Sequence, residues 1–192
     1  MSTALRFTSS DLEAMPDDGK RYEIIDGELY VSKQPRYHHQ YTCNEVARQL
    51  GNWSKETGKG RVISAPGVIF AEDDDVAPDV VWISNSRLTV ALREDGHFHN
   101  APELIIEVLS PGFANEKRDR DAKLKLYSRR GVDEYWIIDR LMRSVDVYRR
   151  ENAALHLTAT LRDSDILETP LLPGFSCVVN SLFDPITPQI PD

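Results

Sequence analysis

Cysteine is scarce in this sequence: Cys43 and Cys177 are the only two in 192 residues. They form neither a CxxC pair nor a dense framework, which excludes a disulfide-stapled scaffold and makes a reducing cytoplasm the expected compartment. Also lacking is any apolar run long enough to span a bilayer, and the polar start Met1-Ser2-Thr3 carries no signal-peptide core. Positive charge is short as well. A net charge of −8 and a pI near 5.2 exclude an abundant nonspecific nucleic-acid coat, though not a local basic groove. There is no GxSxG elbow, no Walker loop, no GxGxxG, no internal repeat and no low-complexity segment. What remains, at 41% hydrophobic and 28% charged residues, has the composition of an ordinary globular protein. One domain is expected over residues 1–192, with its core from about 21 to 183 and a loose tail at 184–192, where Pro185, Pro188 and Pro191 cluster.

Local signals divide the chain into elements. Ser9 to Glu13 caps a short helix that Pro16 to Gly19 ends. Arg21 to Ser32 has two β-rich arms around Asp26-Gly27, the mark of a tight hairpin. Between His38 and Thr57, Cys43, Val46, Ala47, Leu50 and Trp53 recur at helical steps, and Gly58 follows as a stop. Arg61 to Phe70 reads as a strand broken at Pro66-Gly67, with Glu72 to Asp75 as a solvated acidic turn after it. Asp79 to Ser84 and Glu103 to Ser110 are strands, separated by a loop or irregular helix over 85–100. A helix is expected from about Asn115 to Arg130, closed by Gly131, and then a strand from Glu134 to Asp139. That succession implies a right-handed crossover between parallel strands. Ser144 to Arg149, Ala154 to Leu161 and Ile166 to Val179 alternate as antiparallel strands.

Within this scheme one residue is out of place. Glu107 interrupts the apolar run Leu104 to Leu109, where a strand carries no charge unless something nearby needs it. Asp79 stands at the mouth of another strand. If the two strands are neighbours, their carboxylates converge on one site with oxygen ligands suited to magnesium or manganese. Such an ion polarises a phosphoryl oxygen and lowers the pKa of an attacking water, and a nearby lysine would steady the developing charge.

The pair Pro78-Asp79, then Glu107-Val108-Leu109, then a lysine, resembles the PD-(D/E)XK constellation of restriction-endonuclease-like nucleases. More specifically, the chain from about Arg21 to Phe183 resembles the Uma-two family of restriction endonucleases. The ordered runs are Tyr22 to Glu28, His39, Pro78-Asp79-Val80, Pro102 to Pro111, Lys123 with Tyr127, and Gly131 to Asp139. The usual motif carries its lysine two places after the acid, on the same strand face. Here that slot is Leu109. The resemblance implies that the lysine has migrated to Lys123 on the following helix, with Lys125, and less readily Lys117, as substitutes. The plain alternative for Lys123 is a surface ion pair with Asp119, four residues before it.

The resemblance implies an α/β, restriction-endonuclease-like fold: a mixed central β-sheet flanked by α-helices, with an N-terminal β-hairpin. It implies hydrolysis of DNA phosphodiesters with Mg2+ or Mn2+, Asp79 and Glu107 as metal ligands, and Lys123 beside the attacking water. Glu23, His39 and Glu45 are candidate accessories, and Lys117, Arg118 and Arg120 candidate phosphate contacts. By analogy a homodimer is expected, with DNA as partner and no membrane. Two other readings stay open at this point: a noncatalytic nucleic-acid-binding or assembly module on the same fold, and a hydrolase of another phosphate ester. His39 and Cys43 stand at i, i+4 as a conceivable nucleophile pair, although Cys43 fits the apolar stripe. His97 to His99 carries no zinc spacing.

Overall fold

In the computed structural model, which describes residues 5–186, the Asp26-Gly27 step turns the chain sharply. Both residues take positive φ, 53° and 73°, as a two-residue hairpin turn requires. Arg21–Ile25 (β1) therefore folds back on Glu28–Ser32 (β2) in antiparallel register. Ahead of it, Ser9–Glu13 (α1) is a short helix whose Asp11 carboxylate accepts from the Thr8 N–H at 2.7 Å. Tyr37–Thr57 (α2) buries Cys43, Val46, Leu50 and Trp53, and it stops at Gly58, which takes the left-handed cap at φ 66°.

Pro66-Gly67 divides the next strand more completely than a bulge would. Gly60–Ser64 (β3) and Val68–Ala71 (β4) lie in different sheets. The acidic run is a correction to the sequence reading. Only Glu72-Asp73 forms the turn; Asp74–Val76 is a strand (β5), and Asp74 is buried. Its carboxylate receives Arg129 at 2.8 and 2.9 Å, Arg130 at 2.6 Å and the Asp26 N–H at 2.8 Å. A buried carboxylate is tolerated when its lone pairs are used in this way.

Val80–Ser84 (β6), Asn85–Ala91 (α3) and Leu104–Val108 (β7) follow. The expected helix then starts earlier, and it is not uniform. Phe113–Lys117 (α4) runs into a π-helical segment, Arg118–Lys123, and continues as Leu124–Arg130 (α5). Glu134–Asp139 (β8), Ser144–Glu151 (β9) and Ala154–Arg162 (β10) complete a six-stranded sheet of order β10-β9-β8-β7-β6-β3. The β7–β8 pair is parallel and the other pairs are antiparallel, as the strand, helix, strand succession implied. The hairpin belongs to a second sheet of order β2-β1-β5-β4. The last expected strand is instead a small pair, Ile166–Glu168 (β11) and Ser176–Val178 (β12).

Alternation on the central strands separates two apolar layers. Val80, Trp82, Leu104, Ile106, Val108 and Trp136 face α2 and C-terminal residues including Phe175 and Phe183. Val81, Ile83, Ile105, Leu109, Tyr135 and Ile137 face the second sheet and Leu126 and Tyr127 of α5. Glu107 shares the parity of the second group, so a carboxylate sits inside that layer. Of the expected loose tail, Asp184 is buried and accepts from the Tyr37 hydroxyl at 3.1 Å; residues 187–192 lie outside the described ones.

Candidate active site

Val80 pairs with Ile106 across β6 and β7, so one further step of the same antiparallel register sets Asp79 opposite Glu107. Where backbone pairing stops, the Asp79 side chain takes over: its Oδ2 accepts from the Val108 N–H at 2.9 Å. Its Oδ1 accepts from Arg21 Nη1 at 2.9 Å and has His39 Nε2 at 3.4 Å. Burial opposes ionisation of this carboxyl, but His39, Arg21 and Lys123 outweigh it and hold the group well below the usual carboxylate range.

Glu107 has the opposite fate. It is buried, and its Oε1 accepts from Lys123 Nζ and from the Tyr127 hydroxyl, each at 2.9 Å. Burial raises its pKa most. Lys123 works against that, while Asp79, Asp119 and Glu23 add to it, and the carboxyl is pushed up to about 8. Lys123 is itself fully buried, with Nζ 2.9 Å from Glu23 Oε1 and 4.0 Å from Asp119 Oδ1. Burial disfavours its charge, but Glu107, Glu23 and Asp119 prevail, so its pKa lies above that of an ordinary lysine.

Glu23 brings β1 into the same cluster. Its Oε1 also accepts from the Ala77 N–H at 2.9 Å, whereas its buried Oε2 has no hydrogen-bond partner and lies 4.0 Å from Arg118 Nη1. Despite burial, Lys123, Arg118 and Arg21 hold Glu23 below its usual pKa. Asp119, paired to Arg118 at 2.8 Å, is raised by burial. Four carboxylates, Glu23, Asp79, Glu107 and Asp119, thus face three cations, Arg21, Arg118 and Lys123. Apart from His39, which also faces Asp79, acids outnumber bases by one, and the raised Glu107 holds a proton near neutrality.

The helix delivers three of these groups, Arg118, Asp119 and Lys123, from its π-helical segment, where the backbone widens. Asp119 and Lys123 both point inward, so the expectation of a surface ion pair between them is corrected. Lys125 makes that kind of pair instead, with Asp121 at 2.7 Å and its side chain 71% exposed. Leu109 packs into the apolar layer, and Lys123 stands beside Glu107 in its stead. Glu45 is paired with Arg48 at 2.6 Å on α2. Sequence reasoning assigned no role to Arg21 and gave Asp119 only a surface ion pair, and Tyr127 entered only as part of a family run. The available signal was the step Asp119, Lys123, Tyr127, which sets three functional groups on one helix face.

Above the cluster opens a cleft of about 280 Å³. Arg21, Lys33, Arg36, Arg118, His39 and Asn115 line it around Asp79. The basic helix face expected from Lys117, Arg118 and Arg120 is a further correction. Lys117 is exposed, but Arg118 turns inward to Asp119 and Ser32, and Arg120 pairs with Asp146 at 2.6 Å. Of the basic side chains that do line the cleft, Arg21 is paired with Asp79 and Arg118 with Asp119.

No curated protein sequence matches this chain. A crystal structure described as a putative nuclease belonging to DUF820, from Anabaena variabilis, shares the fold with a TM-score of 0.75 at 21% identity. The match covers 92% of this chain and 97% of that one. A family model described as "Putative restriction endonuclease" matches residues 9–180. The chain belongs to this family, Uma2.

Proposed function

We propose that the protein is a metal-dependent endonuclease that hydrolyses DNA phosphodiester bonds. The observation that carries this reading is the buried cluster of Glu23, Asp79, Glu107 and Asp119 around Lys123, under a cleft lined by basic side chains. Asp79 and Glu107 would hold Mg2+ or Mn2+. The residues fit such an ion: the donors are carboxylate oxygens, and Glu23 Oε2 is buried without a hydrogen bond. When bound, the ion would polarise a phosphoryl oxygen and lower the pKa of the attacking water.

The protein's own groups divide the remaining work. Lys123, held as an ammonium, is no proton acceptor; it fixes Glu107 and Glu23 and steadies negative charge that develops beside them. The Tyr127 hydroxyl locks Glu107 from the helix side. Arg21, Lys33 and Arg36 seat phosphates without reading sequence. Cutting of both strands is assigned to a symmetric pair of chains.

Supercoiled plasmid incubated with Mg2+ or Mn2+ tests the proposal. Nicking or linearisation by the wild type, abolished by Asp79→Ala and by Lys123→Met, supports it. DNA that is bound but left uncut in both metals would overturn the nuclease reading in favour of a noncatalytic binding module.

A further inference from the structure

We infer that His39, Cys43 and Asp79 form a second cation site, suited to a borderline-soft ion of the zinc class. His39 and Cys43 stand one turn apart on α2 and face the end of β6, where Asp79 sits. All three are buried, and one ligand atom from each lies within 4.8 Å of the others. The placement of His39 points to a ligand. Its Nε2 lies 3.4 Å from Asp79 Oδ1, long for a charge-assisted hydrogen bond. That spacing matches the edge of about 3.3–3.4 Å in a tetrahedron with metal bonds of about 2.0–2.1 Å.

On binding, the coordinated Cys43 thiol gives up its proton to solvent. Entry is available, since His39 and Asp79 line the cleft, which also leaves the fourth position to water. Sulfur and imidazole donors select against magnesium, so this set and the proposed nuclease pair share only Asp79. An ion held by His39 and Cys43 would withdraw Asp79 from magnesium. That consequence rests on the nuclease reading; the binding itself does not.

The test is optical. Metal-free protein titrated with Co2+ should bind one equivalent and show a sulfur-to-cobalt charge-transfer band in the near ultraviolet, displaced by Zn2+. Cys43→Ala and the near-isosteric Cys43→Ser should each abolish the band. His39→Ala should weaken binding at least about tenfold, and Cys177→Ala should leave the spectrum unchanged. Absence of a thiolate band in the wild type, or its survival in either Cys43 variant, would overturn the site. Plasmid cutting by cobalt-free and zinc-free protein in Mg2+ reports separately: a band without such cutting keeps this site and removes the nuclease, and cutting without a band does the reverse.

Discussion

Lys123 Nζ lies 2.9 Å from Glu107 Oε1, with both side chains sealed from solvent. The pair is held from both sides, by Glu23 on the hairpin sheet and by Tyr127 one helical turn on. Removing one member of a buried pair strands the other charge, which costs far more than an exposed pair is worth. Lys123→Met keeps the chain length and removes the cation. It is expected to lower unfolding free energy by about 3–5 kcal/mol, measured by urea denaturation. Adding Glu23→Gln should recover part of that loss, because it removes the carboxylate that Lys123 no longer neutralises. A single variant as stable as the wild type would show that the cluster is not held by this lysine.

The raised Glu107 sets two pH dependences of definite sign. Its pKa rises from an ordinary 4.5 to about 8 on folding, so between those values the folded chain keeps a proton that the unfolded chain has lost. The stability this group contributes is complete below pH 4.5 and disappears as the pH rises through about 8. Asp79, depressed on folding, acts oppositely, and its contribution is lost in acid. For the proposed magnesium site the ion must displace the Glu107 proton, so affinity should rise about tenfold per pH unit below pH 8. Calorimetric titration in buffers of different ionisation heat should find about one proton released per ion. Binding with no proton release and no pH dependence would remove Glu107 from the ligand set.

The location of positive charge gives a third expectation. Lys33 and Arg36 line the cleft, whereas Arg120 is committed to Asp146. Lys33→Ala and Arg36→Ala should each weaken DNA binding and reduce the slope of log affinity against log salt by about 1. Arg120→Ala should leave that slope unchanged. Fluorescence anisotropy across a salt series checks this, and a loss of slope in the Arg120 variant alone would return the interface to the helix face.

What the sequence made legible follows the range of the interaction. The hairpin could be read because Asp26-Gly27 fixes it locally, and Glu107 stood out because a charge in Leu-Ile-Ile-Glu-Val-Leu has no local reason to be there. The helix shows where local reading ends. Asp119–Lys123 and Asp121–Lys125 have identical i, i+4 spacing, yet the first pair is buried and the second lies in solvent. Only the rotation of the helix against the sheet distinguishes them, and that is set by residues as distant as Glu23. Arg21 was missed for the same reason, since its partner Asp79 comes from another element, whereas Asp119, whose partners Arg118 and Lys123 share its helix, was misplaced by that rotation.

Asp74 was misread more plainly, and it supplies the last prediction. Within Glu72-Asp73-Asp74-Asp75 nothing local separates a solvated acid from a buried one. The structure places Asp74 where the hairpin turn meets the end of α5, binding the Asp26 N–H and the guanidiniums of Arg129 and Arg130. Asp74→Ala would leave a turn N–H unpaired, take the carboxylate from Arg130 and leave Arg129 with Asp26, at the joint between the second sheet and the helix that carries Lys123. The arginines are about one-third exposed, so water screens part of their loss, and a destabilisation of about 1–3 kcal/mol is expected. Asp73→Ala, which removes only the partner of exposed Arg6, should shift the urea midpoint little. Equal midpoints for the two variants would mean that the helix docks through its apolar face alone.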